Sequence, residues 1–187
     1  MIVIGITGTL GAGKGTVVEY LKTKGFAHYS ASGFITREIE RRGLPVNRDN
    51  MNLVARDLRT IHSPSYIAET LCAEAEQNGK DAIIEALHTE GEVQALRSKG
   101  NFILLAIDAD QKIRYKRIVL RGSAKDNISF EKFRDDEARE MHATDPARQN
   151  LARCIELADY QLMNNGTKKE LHVRVDDVLD TIKENSI

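Results

Sequence analysis

No charge of one sign dominates this chain. Its 187 residues carry 27 Lys and Arg against 28 Asp and Glu, a net charge of −1. A duplex-binding protein needs a basic field, so the balance argues against nucleic acid as a partner while leaving room for a local basic patch that grips a polyphosphate. No stretch approaches the ~18 apolar residues of a membrane span. Met1 to Ile6 lacks the basic start and long apolar run of a secretory leader. These absences lead to the expectation of a cytoplasmic protein with no membrane partner. Cysteine is scarce: Cys72 and Cys154 lie far apart and near no histidine cluster, and they read as buried reduced thiols. His28, His62, His88, His142 and His172 lack metal-ligand spacing, so no structural metal is expected. Neither an internal repeat nor a low-complexity linker interrupts the chain. Its length suits one compact α/β domain over residues 1–187.

What is present alternates between strand and helix patterns. Ile2 to Thr7 is short, apolar and β-branched, as in a buried strand of a parallel sheet. After a glycine-rich stretch, Thr16 to Lys24 reads as a helix stopped by Gly25. Phe26 to Ser30 reads as a second strand. Helices are expected over Ser32 to Arg42, Asp49 to Ile61 and Pro64 to Gln77. Asp81 to Leu87 holds a short apolar run, and Phe102 to Ile107 is the clearest internal strand. Asp110 to Arg121, Phe130 to Met141 and Ala147 to Leu157 read as helices around a loop at Ser123 to Asn127. Tyr160 to Met163 and Lys168 to Lys183 close the chain as strand and helix. Such alternation argues βαβ units and a parallel sheet.

The strongest local signal runs Gly8-Thr9-Leu10-Gly11-Ala12-Gly13-Lys14-Gly15-Thr16. Gly8, Gly11, Gly13 and Gly15, with Ala12, let backbone N–H groups turn inward around phosphate oxygens. The helix that follows aims its positive end at the same anion. Lys14 reaches the β- and γ-phosphates as a point charge, and the Thr16 hydroxyl meets Mg²⁺ directly or through water. A strand before the motif and a helix after it supply the context this reading requires.

The Gly-Lys-Gly-Thr ending resembles the adenylate kinase branch of P-loop kinases. With no Asn-Lys-x-Asp run later in the chain, that resemblance favours a nucleotide kinase over a GTPase. Ser30-Ala31-Ser32-Gly33-Phe34-Ile35-Thr36-Arg37 resembles the segment that opens the monophosphate-binding helices of adenylate kinases, with Phe34 where an Asp is usual. The resemblance implies an acceptor site in which Ser32 and Gly33 begin a helix and Arg37 grips the acceptor's phosphate bidentately. Arg48, Asn52, Arg56 and Arg59 recur at three and four residues, so they share one helix face. That face either reads an anionic acceptor or forms surface ion pairs with Asp49, Asp57 and Glu69. More broadly, the chain resembles P-loop kinase-like proteins of the adenylate-kinase-related and dephospho-CoA-kinase-like group. It is also similar to a domain fused to some deoxycytidylate deaminases.

In such kinases an acidic residue follows the third strand, which the resemblance places at Glu85, to hold water on Mg²⁺ or to take the acceptor hydroxyl's proton. Where relatives show Asp-Gly-x-Arg, this chain has Glu85-Ala86-Leu87-His88, putting His88 in an acceptor-binding position. Arg114, Arg117 and Arg121 fall on one helix face, and no acidic segment to pair with them is evident in the sequence. By resemblance Arg114 meets ATP, while Arg117 and Arg121 stabilise the transferring phosphoryl group beside a lid at about residues 123–144. The tail, Gln149, Ala158-Asp159-Tyr160 and Asn164-Asn165-Gly166-Thr167, resembles dephospho-CoA kinases, which implies that Asn165 and Gly166 lie beside the adenine of ATP.

The expected fold is an α/β P-loop NTPase of the nucleoside monophosphate kinase type. It has about five parallel strands, helices on both faces, an acceptor-binding helical insertion at about residues 32–77 and a helical lid. The expected activity is Mg²⁺- and ATP-dependent transfer of the γ-phosphoryl group to a nucleoside or deoxynucleoside monophosphate by a monomer or homodimer. Dephospho-CoA kinase and a nucleotide-binding sensor with little turnover are the alternatives.

Overall fold

The computed structural model describes residues 1–122, 128–142 and 144–184. The expected loop at Ser123 to Asn127 therefore lies outside the described residues. Five strands form one parallel sheet in the order β2-β3-β1-β4-β5. They are β1 (Val3–Gly8), β2 (Ala27–Ser30), β3 (Ala82–Glu85), β4 (Phe102–Asp108) and β5 (Tyr160–Met163). All of β1 is buried, because it is the central strand and both its faces are covered. Residues 2 to 7 are apolar or small for the same reason.

The described residues form nine helices. One face of the sheet packs on α1 (Lys14–Thr23) and α9 (Lys168–Glu184) through Ile4, Ile6, Val17, Leu21, Ile83, Ile107 and Val175. The other face packs on α2 (Ala31–Arg41), α3 (Arg48–Ile61), α4 (Tyr66–Asn78), α5 (Glu90–Arg97) and α8 (Leu151–Glu156). Its core joins Ile35, Ile39, Val54, Leu58, Ile67 and Leu71 to Ile84, Phe102 and Leu104. The helices α6 (Gln111–Arg121) and α7 (Phe130–Met141) lie between β4 and α8 in sequence. From β1 the chain crosses over to β2, returns to β3, and then passes β1 to reach β4. The carboxyl ends around β1 are thus a topological switch point, the place where open parallel sheets bind ligands.

Two expectations need adjustment. Gly33 does not begin α2: Ser30 is its N-cap, accepting from the Gly33 amide at 3.1 Å, so Ser32 and Gly33 fall in the first turn. The helix α5 has no counterpart in the elements read from sequence. A reciprocal capping box starts it, Thr89 accepting from the Glu92 amide and Glu92 accepting from the Thr89 amide.

Candidate functional site

The glycine loop closes tightly against the rest of the protein. Gly8 ends β1 at φ 131°, and a Cβ there would overlap the Ile107 carbonyl of β4. Gly13, at φ 108°, is the N-cap of α1, and a Cβ there would strike the Asn164 amide. Gly15 faces open space, and a Cβ there would meet nothing within 4 Å. The buried Asn164 side chain donates to the Ala12 carbonyl at 2.7 Å, and Thr9 Oγ1 donates to Asp108 Oδ1 at 2.5 Å. Asn164 and Asp108 thus anchor the loop to the ends of β4 and β5. Sequence reasoning assigned neither residue a role, because both anchors lie about a hundred residues or more from the loop. Among the described residues no side chain caps α1, and while the Thr16 amide donates to the Gly13 carbonyl at 3.0 Å, the amides of Lys14 and Gly15 at the helix start take no side-chain cap.

Lys14 folds over this loop. Its Nζ donates to the Gly8 carbonyl at 2.6 Å and to the Thr9 carbonyl at 2.9 Å. Burial pushes its pKa down to about 8, against the pull of Glu85 and then Glu140, and Arg114 and Arg121 lower it further. Of the surrounding charges, Glu85 acts most strongly. Glu85 ends β3, one strand from β1 and in register with Ile6. Its Oε2 lies 2.9 Å from His28 Nε2 on β2. The next residue, Ala86, has φ 73°, a left-handed conformation that disfavours any side chain. Gly occupies this position in the Asp-Gly-x-Arg pattern.

Of the residues expected to face the acceptor, each basic group of α3 already has an acidic partner. Arg48 Nη2 donates to Glu140 Oε1 at 2.6 Å, and Arg56 lies 3.6 Å from Asp145. Asn52 accepts from Gln149 at 3.0 Å. The shared face read from the spacing exists, yet Glu140, Asp145 and Glu92 meet it rather than Asp49, Asp57 or Glu69. Arg59 is 3% exposed, and both its Nε and Nη2 donate to Glu92 Oε1, at 3.0 and 2.7 Å. This corrects the acceptor-binding assignment of Arg59: its charge is committed to the interior. Arg37 is exposed, 5.8 Å over the Phe34 ring, in the second turn of α2 with Ser32 exposed in the first. His88 is half-buried beside Lys14, Arg59 and Arg48. Desolvation first, then those cations, pushes its pKa down to about 3, so it is a neutral hydrogen-bonding group.

The arginines of α6 do not act as one face. Arg114 is buried; it donates to the Ala109 carbonyl at 2.6 Å and makes a fork with Glu137 at 2.5 and 2.9 Å. The expectation that no acidic segment pairs with this helix is overturned, because α7 supplies Glu137. Arg117 reaches the carbonyls of Ala12 and Gly166, each at 3.4 Å. Arg121 is exposed and close enough to depress the Lys14 pKa. In the tail, Asn165 Oδ1 accepts from the Asp110 amide at 2.8 Å, so Asn165 and Gly166 stand beside the cradle as linkers between β5, α6 and the loop.

Among the described residues no group of three or more His, Cys, Asp or Glu surrounds a metal position. Mg²⁺ binding does not require one, since this ion takes one or two protein oxygens and completes its shell with phosphate and water. The half-buried Thr16 in the first turn of α1 and Glu85 at the end of β3 fit that demand.

Five parallel strands in the order β2-β3-β1-β4-β5, flanked by helices, with the glycine cradle after β1, define a P-loop NTPase with a kinase-type fold. The chain belongs to the AAA domain family, whose model matches residues 4–143. It is 28% identical over 188 residues to a UPF0200 protein of Methanocaldococcus jannaschii, covering 99% of this chain and 92% of that protein. Among solved structures, TT1252 from Thermus thermophilus superposes with a TM-score of 0.63 at 20% identity, covering 96% of this chain and 97% of that one. The dephospho-CoA kinase of Campylobacter jejuni has the same fold, with a TM-score of 0.53, 15% identity and 96% of both chains covered. No described helix is long and apolar enough to cross a membrane.

Proposed function

We propose that this protein is an ATP-dependent small-molecule kinase that transfers the γ-phosphoryl group to a nucleoside or deoxynucleoside monophosphate. The observation behind the reading is that Lys14 of the cradle and Glu85 at the end of the neighbouring strand β3 lie close enough for Glu85 to be the strongest charge acting on Lys14, with Arg121 acting on Lys14 as well and Arg48 and Lys14 both acting on His88. Gly8, Gly11, Ala12, Gly13, Lys14, Gly15 and Thr16 would hold the triphosphate. Arg114, Asn165 and Gly166 border it, and Ser32, Gly33, Arg37, Arg48, Arg56 and His88 would face the acceptor. Thr16 and Glu85 would hold Mg²⁺, which when bound would supply charge neutralisation for the transferring group. A monophosphate acceptor attacks through an oxygen that is already ionised, so Glu85 need not remove a proton; its part is to hold the metal's water, while Arg117 and Arg121 offset the spread charge.

A nucleotide-binding sensor is the second reading, favoured by the ion pairs that already occupy Arg48, Arg56 and Arg114. The experiment that separates the two is single-turnover phosphoryl transfer from ATP across nucleoside monophosphates, deoxynucleotides and dephospho-CoA, with Lys14→Ala as control. The kinase reading expects transfer to one class of acceptor and a loss of roughly 10²-fold or more in the control. No transfer to any acceptor would leave the sensor reading.

A further inference from the structure

Glu85 is held from two directions. Its backbone is turned by Ala86, whose φ of 73° forces the chain sharply out of β3, with the Ala86 and Leu87 amides both bonded to the Ile6 carbonyl at 3.1 Å. Its side chain is held by His28, on the edge strand. The parallel register sets Ser30 opposite Glu85 and His28 opposite Ile83. Alternation then places His28, Ile83 and Glu85 on one face of the sheet, the face that packs on α1. His28 Nε2 lies 2.9 Å from Glu85 Oε2, a hydrogen bond in which the imidazole N–H donates in the tautomer the proposal requires. His28 and Glu85 side chains are 24% and 21% exposed, so the pair is partly open to solvent rather than sealed in the core. With Oε2 bound, the carboxylate cannot spin freely, and Oε1 is the oxygen left to act on the charge of Lys14, on which Glu85 is the strongest electrostatic influence.

We propose that His28 is a positioning residue for phosphoryl transfer, fixing the Glu85 carboxylate so that one oxygen faces the triphosphate and its metal. The inference rests on the kinase reading of this site. His28 itself touches neither reactant; it acts through Glu85. Such a role differs from ordinary packing in what it responds to. Packing depends on ring volume, whereas positioning depends on a donor at the Nε2 location.

The test compares wild type with His28→Leu, which keeps bulk without a donor, and His28→Gln, whose amide nitrogen reaches nearly the same point. Should the Leu variant fail to fold, judged by its melting curve, His28→Ala takes its place. We expect the donor-free variant to lose about ten-fold in kcat with the ATP KM within about two-fold, and Gln to recover most of the loss. Wild-type kcat in the donor-free variant, or a Gln variant no better than it, overturns the proposal while leaving the kinase reading intact. A wild type that transfers nothing to any acceptor sinks the kinase reading instead. His28 is then judged by calorimetry of ATP binding with and without Mg²⁺. The donor-free variant should lose about three-fold of the Mg²⁺-dependent gain in affinity, while Gln keeps it; an equal gain in all three proteins overturns the positioning role.

Discussion

At the scale of single residues, the loop was the most legible part of the chain. Phosphate binding by backbone amides demands glycines at fixed offsets within nine residues, so the chemistry is written contiguously. The state of Lys14 was not legible, since it depends on burial and on Glu85, Glu140, Arg114 and Arg121. With its pKa lowered to about 8, Lys14 is about half protonated at pH 8 in the free protein. An anion on the cradle favours the charged form and raises that pKa, so binding takes up a proton, and affinity falls as pH rises through 8. Calorimetry of ADP binding at pH 8 in buffers of different ionisation heat should report uptake of about half a proton attributable to Lys14, absent in Lys14→Met. Equal uptake in both proteins would remove Lys14 from phosphate binding. Ala86 offers a second check. A left-handed Ala costs roughly 1 kcal/mol relative to Gly. Ala86→Gly should therefore stabilise the protein by about that amount in urea unfolding; destabilisation would mean that the side chain contributes packing worth more than the strain.

The secondary elements divide by what fixes them. Strands β1 and β4 were plain because a doubly covered strand must be apolar along its whole length. The helix α5 was missed although Thr89 and Glu92 spell a capping box, because only Val93 and Leu96 mark its buried side. The deepest gap concerns α7. Its Glu137 and Glu140 occupy Arg114 and Arg48, partners 23 and 92 residues away, a separation that no local pattern reports. In the proposed reaction this gives α7 a part: its carboxylates sit on arginines that the proposal assigns to ATP and acceptor, so acceptor and Glu140 would compete for Arg48. Both groups of the Arg48–Glu140 pair are partly exposed, so the pair is worth about 1 kcal/mol at most. Glu140→Gln should lower the acceptor's KM up to about five-fold and flatten its dependence on salt. A KM that rises instead would mean that Glu140 contacts the acceptor rather than competing with it.

For the molecule as a whole, the question is whether α2, α3 and α4 fold with the sheet or apart from it. Their apolar faces merge with the sheet in one cluster, from Ile35, Val54 and Ile67 to Ile84 and Phe102. The Arg59–Glu92 pair ties α3 to the start of α5 across that cluster, at 3% and 1% side-chain exposure. Glu92 is fully used: Oε1 takes both Arg59 donors, and Oε2 takes the amides of His88 and Thr89. Deleting one partner strands a buried charge, which costs about 3–5 kcal/mol, a large share of a total near 5–15 kcal/mol. Arg59→Met should thus lower Tm by about 6–20 °C in a chain of this size. If the helices and sheet are one cooperative unit, the whole endotherm shifts together, and circular dichroism and the fluorescence of the tyrosines, among them Tyr66 on α4 and Tyr160 on β5, melt in step. A second, early transition confined to the Tyr66 side would show α2, α3 and α4 unfolding alone. The pairing itself is isolated by adding Glu92→Gln to Arg59→Met. The double variant removes the orphaned charge and should be more stable than Arg59→Met, since an amide can still accept from the His88 and Thr89 amides.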